Sequence, residues 1–143
     1  MTRLNDWLSE QRDFKRSRRH LKTELANISR HYSYMREKLA SYQAASAWTN
    51  IVHLETGRFY GNGLGTFDVS TLRLFEESTA AKTMYLMLML RNNNAYIDQA
   101  KEHLLAGDKA TFGELCEELI KRCDDTTEHA RGVVATLEPP RRR

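Results

Sequence analysis

Proline and glycine are scarce in this sequence, at 2 and 7 of 143 residues. Few breakers argue for long regular elements, and the plentiful Ala, Leu, Glu, Lys and Arg against few Val and Ile argue that those elements are helices. No run of about 18 apolar residues occurs, which excludes a helical membrane span. No apolar segment follows the basic residues near the N-terminus, so a cleavable secretory signal is not expected. Cysteine is limited to Cys116 and Cys123. Seven residues on a helix span about 10 Å, too far for a disulfide between the two. We expect two small buried side chains in a reducing, cytoplasmic setting. Charge of one sign is also lacking: the net charge is +3, modest for a dedicated nucleic-acid binder.

What is present is a heptad pattern. With position a at Leu4, Gln11, Arg18, Leu25, Tyr32, Leu39 and Ser46, position d falls at Trp7, Phe14, Leu21, Ile28, Met35, Tyr42 and Thr49. Every d position but the last is apolar or aromatic, and no Gly or Pro precedes Gly57. This spacing predicts one helix over about 3–54, roughly 75 Å long. A helix of that length needs a partner along its stripe. Gln11 and Arg18 argue against a simple zipper near the N-terminus, whereas Leu21 to Tyr42 predicts tight packing. Trp7 is expected in the core and Trp48 where the helix meets the next segment.

Four of the seven glycines lie within residues 55–68, so we expect a hinge there. Tyr60-Gly61-Asn62-Gly63-Leu64 resembles the YGNGV stretch of pediocin-like bacteriocins over five residues. In that family the motif opens a short secreted peptide and a disulfide pair follows; here it is internal and no cysteine is near. A phosphate-cradling loop would need a Lys-Ser/Thr after it and a strand before it. The hinge reading therefore stands, with Phe59, Tyr60, Leu64 and Phe67 folding back onto the helix tips.

A second helix is predicted over about 69–106, capped by Asp68 or Ser70, with Asn92-Asn93-Asn94 able to end or kink it. Met84 to Leu90, MYLMLML, is apolar on every side. A helix apolar all round is buried all round, so something beyond its own hairpin should cover it. Met84, Tyr85, Met87, Leu88 and Met89 are the candidate partner-binding residues. A third helix is predicted over about 109–137, after Gly107 and an Asp108 cap. Pro139-Pro140 ends it, before a basic tail closing at Arg143. The fold expected is an all-α, elongated antiparallel bundle of three to four helices, coiled-coil-like, in a single domain over 1–138.

Arg12, Lys15, Arg16, Arg19 and Lys22 fall within about a third of the helix circumference. Residues 12–22 carry six Lys/Arg against one Asp, while residues 112–128 carry six Asp/Glu against two Lys/Arg. The basic face either meets that acidic helix or takes an anionic partner, nucleic acid among them. None of His20, His31, His53, His103 and His129 pairs with another at helical spacing, so neither a metal site nor a cofactor is expected. Arg122 and His129, separated by six residues, resemble the active-site motif of the HEPN family of small helical bundles. That resemblance implies a ribonuclease or nucleotide-binding role working across a dimer, with Asp124, Asp125 and Glu128 opposing an RNA backbone. A catalytic triad has no support from a chain without strands.

These readings converge on a non-catalytic helical interaction module that self-associates and binds a protein partner: an adaptor, assembly factor, chaperone or inhibitor. A nucleic-acid accessory protein and a HEPN-like ribonuclease are the alternatives.

Overall fold

The structure is a computed structural model and describes residues 2–45 and 64–138, the side chains of 42–45 excepted. It is an all-helical bundle of α1 (Thr2–Ala45), a short 3-10 helix (Val69–Leu74), α2 (Glu77–Leu105) and α3 (Lys109–Leu137). No strand occurs among the described residues. The predicted helix over 46–54, Trp48, the hinge as far as Gly63 and the tail after Glu138 lie outside the described residues.

At 44 residues, α1 is about 66 Å long. Its stripe Leu21, Leu25, Ile28, Tyr32, Met35 and Leu39 is buried to 3% exposure or less, each side chain contributing about 1.5–3 kcal/mol by leaving water. The stripe packs on α3. Arg18 Nε donates to the Leu137 carbonyl at 3.0 Å, Lys22 Nζ meets Glu138 at 3.1 Å and Arg36 Nε meets Asp124 at 2.7 Å. Rising numbers on one helix meet falling numbers on the other, so the pair is antiparallel. α2 also packs antiparallel on α3: the hydroxyls of Thr79 and Thr136 are 2.9 Å apart, and Asn93 reaches Thr126 at 2.9 Å. Consequently α1 and α2 run parallel, with α3 the shared neighbour.

Residues 64–75 lie against the middle of α1 rather than at the expected helix tip. Leu64 and Phe67 are buried, His20 Nε2 is 3.0 Å from the Thr66 hydroxyl, and Phe67 stacks edge-on to His20 at 5.7 Å. Phe75 closes the bundle end, its ring 5.1 Å from Phe14. Gly65 adopts φ +58°, and any Cβ there would collide with the Glu24 carboxylate. The flexible end of Glu24 could move aside, so it is the backbone conformation that fixes the glycine's identity.

The second helix differs from its prediction in two places. Asp68 does cap, accepting from the Ser70 amide at 3.0 Å and the Ser70 hydroxyl at 2.7 Å, but it caps the 3-10 turn. The α-helix begins later, at Glu77, after Phe75 and Glu76 turn extended. Asn92-Asn93-Asn94 neither ends nor breaks α2. Low helix propensity costs a few tenths of a kcal/mol per residue, and tertiary contacts made by Asn93 outweigh it.

The α2–α3 turn follows its sequence signature. Gly107 takes φ +76°, its amide donates to Leu104 at 3.1 Å, and the Asp108 amide donates to His103 at 2.9 Å. This is a Schellman ending. Asp108 then caps α3 by accepting from the Thr111 amide at 3.1 Å and pairs with His103 at 3.3 Å. Bonds from Thr111 hold the Asp108 carboxyl below the usual carboxylate range.

Candidate interaction surfaces

The MYLMLML segment is not buried on every side. Leu86 and Leu90 point into the core, Met87 and Met89 are half-buried, and Met84, Tyr85 and Leu88 are 58%, 54% and 53% exposed. The reason is geometric. With α1 and α3 occupying one side of α2, an all-apolar turn has no cover left for the other. A groove of about 540 Å³ runs beside the strip, lined by Ala81, Lys82, Tyr85, Glu128, His129 and Gly132. Tyr85 and His129 form its waist, ring centroids 5.0 Å apart. Gly132 supplies the depth, since nothing lies within 4 Å of where its Cβ would stand.

The second surface is the start of α1, where residues 2–13 are exposed on all sides. Trp7, expected in the core, is 55% exposed; Leu4 and Leu8 beside it are 55% and 44% exposed. The bundle ends at the level of Phe14, Phe75 and Leu137, so α1 overhangs it by about three turns, roughly 18 Å. The heptad pattern correctly marks the oily face of these turns. It carries no information about whether α2 and α3 are long enough to reach it.

The basic face divides. Lys22 is occupied by Glu138, and Arg18 bonds the Leu137 carbonyl through both Nε and Nη2; together they place cations at the negative end of α3. Arg12, Lys15, Arg16 and Arg19 are exposed with no carboxylate partner among the described residues. Among the described residues the acidic stretch of α3 pairs with α1 through Arg36–Asp124. Glu114, Glu117, Asp125 and Glu128 point outward.

Sequence reasoning missed a buried polar cluster joining all three helices. Asn93, 1% exposed, donates through Nδ2 to the Tyr32 hydroxyl at 3.2 Å and to the Thr126 hydroxyl at 2.9 Å; Thr126 donates onward to the Arg122 carbonyl at 2.6 Å. The Asn93 Oδ1 finds no hydrogen-bond partner among the described residues. Burial raises the Tyr32 phenol well above its ordinary value. A signal was available: Asn93 falls in step with Leu86, Leu90, Ile97 and Ala100, which makes it an amide in a core stripe whose other polar members are Thr79 and Thr83.

Arg122 and His129 are not brought together. The Arg122 guanidinium lies 3.8 Å from the centre of the Tyr96 ring and pairs with Glu118 at 3.3 Å. His129 packs on Tyr85 two turns away. Cys116 and Cys123 are free and buried, and burial pushes both thiols up to about 12. Among the described residues no three His, Cys, Asp or Glu side chains converge as metal ligands, and no helix is long and apolar enough to cross a membrane. No family model, no curated protein and no solved structure matches the chain.

Proposed function

We propose that the protein is a non-catalytic helical interaction module, an adaptor, assembly factor, chaperone or inhibitor, that binds other helices and copies of itself. One observation carries this reading: Met84, Tyr85 and Leu88 stand more than half exposed on consecutive turns of a helix whose opposite face is core. Contiguous exposed apolar side chains of this size mark interaction surfaces. Met87 and Met89 flank the strip, and unbranched thioether side chains adapt to a partner's shape. The groove between Tyr85 and Glu128 gives the strip relief against which a partner helix can seat. The two free, buried cysteines support a cytoplasmic place of work.

The test is capture from an extract of the native host by immobilised chain, wild type against Met84→Lys/Leu88→Lys, with bound proteins identified by mass spectrometry. A discrete set retained by the wild type and lost by the variant is expected, with thermal melts unchanged. Equal retention by both would overturn the reading.

A second reading is favoured by Arg12, Lys15, Arg16 and Arg19, four exposed cations without carboxylate partners among the described residues. On that reading the α1 face tracks a nucleic-acid backbone, and binding falls steeply with salt. Titration with duplex and single-stranded oligonucleotides at two salt concentrations tests it, and absence of binding at low salt removes it.

A further inference from the structure

We infer that the buried Asn93 cluster is a register lock: it fixes where α1 sits along the α2–α3 pair, and with that the length of the overhang, at a cost in stability. Apolar packing by itself does not choose this register. Leu25, Tyr32 and Leu39 stand seven residues apart on α1 and are buried alike, as are Leu21, Ile28 and Met35. A slide of α1 by one heptad, about 10 Å, therefore exchanges one buried side chain for another at each of these levels. Surface contacts oppose the slide only weakly. Lys22–Glu138, Arg36–Asp124 and His20–Thr66 lie at the rim of the bundle, where such pairs contribute little.

Two polar side chains in the seam of α1 break the equivalence, one for each direction. A slide that draws the overhang in carries Arg18 to the place of Leu25, which is 0% exposed, and so puts a guanidinium into the core. A slide the other way is barred at Asn93. The two parallel helices are level where Asn93 Nδ2 donates to the Tyr32 hydroxyl at 3.2 Å, an offset of 61 positions, and the same offset sets Phe14 on Phe75. It also sets Leu25 level with Leu86 and Leu39 level with Ala100. The outward slide brings Leu39 to Asn93 and Tyr32 to Leu86. Leucine cannot accept from the amide, and the phenol leaves its donor for an apolar level. A single polar residue in an apolar seam fixes register in this way. The cost shows at the other end of the same amide: Asn93 is 1% exposed, and its Oδ1 finds no hydrogen-bond partner among the described residues. An apolar layer of the same shape would leave no such orphan.

Spin labels at Ala26→Cys and Glu114→Cys, both exposed positions, read the register as a distance by double electron–electron resonance in a Cys116→Ala/Cys123→Ala chain. With the layer unaltered, one distance is expected, and two overturn the inference. Tyr32→Phe/Asn93→Leu makes the layer apolar. It should add a second population, longer by up to about 10 Å, while the midpoint of urea unfolding stays level or rises. Tyr32→Leu/Leu39→Tyr moves the phenol one heptad along α1 and should carry the whole population to the longer distance, because the hydroxyl then meets Asn93 only in the slid register. A swapped chain that keeps the original distance overturns the inference, as does an apolar layer that gives one distance. An apolar layer that lowers the midpoint or leaves the chain unfolded also overturns it, since the cluster would then be a source of stability.

Discussion

Within α1, residues 21–39 present Leu21, Leu25, Ile28, Tyr32, Met35 and Leu39 at alternating three- and four-residue spacing, and all are buried. Near its start, Trp7 and Leu8 stand three and four residues after Leu4 and so share a face with it, and all three are exposed. The helix is continuous between them. Local sequence thus makes the two stretches alike, and the lengths of α2 and α3 make them different. Periodicity reports which face of a helix is oily; it does not report what lies opposite.

The sharpest way to break that comparison is a charge in each stretch. Leu25→Asp places an unpaired carboxylate in the covered stretch and should cost about 4 kcal/mol or more, read as a lost or strongly shifted urea transition. A cost below about 1 kcal/mol would mean that the covered stretch is not covered. Next in size is Asn93→Ala, which opens a cavity and strips Tyr32 and Thr126 of a partner. A loss of about 2–3 kcal/mol is expected from chemical denaturation.

A smaller effect follows from pH. Burial raises the thiols of Cys116 and Cys123 from 9.0 to about 12, and the Tyr32 phenol moves in the same direction. Folding therefore favours the protonated forms. Their contribution is whole below pH 9 and is lost as pH rises from there toward 12. The melting temperature should fall progressively across that window, and Cys116→Ala/Cys123→Ala should flatten the fall; an unchanged slope would show that the thiols are not the cause. The smallest expected effect on stability is Trp7→Ser, within about 0.5 kcal/mol for the monomer. The same change should weaken self-association, so the two readouts part company in the overhang as they do not at Leu25.

The bundle itself was legible because its signals are local. Leu21 to Leu39 repeat, Gly107 and Asp108 stop one helix and start the next, and the third helix runs over 109–137 as expected. Three features were not legible because they depend on what lies across the bundle. Trp7 reads as core in any heptad, and only the ends of α2 and α3 leave it outside. The triple asparagine reads as an end or a kink until Tyr32 and Thr126 are seen to accept from the amide nitrogen of Asn93. MYLMLML reads as enclosed until three helices prove too few to enclose it. The candidate surface at Met84, Tyr85 and Leu88 was named from composition alone; the exposure of those side chains is a tertiary fact.

The parallel placement of α1 and α2 has a consequence for how the chain is made. The α2–α3 pair is contiguous and can close as soon as both helices exist, by short-range contacts. Of these three helices α1 cannot do this, since its neighbour α3 is made after both α1 and α2. At about 5–20 residues per second, the seam from Leu21 to Leu39 waits on the order of ten seconds before α3 emerges to receive it. During that interval a long amphipathic rod has its greasy edge bare, and a holdase or a sister nascent chain can reach it before α3 does.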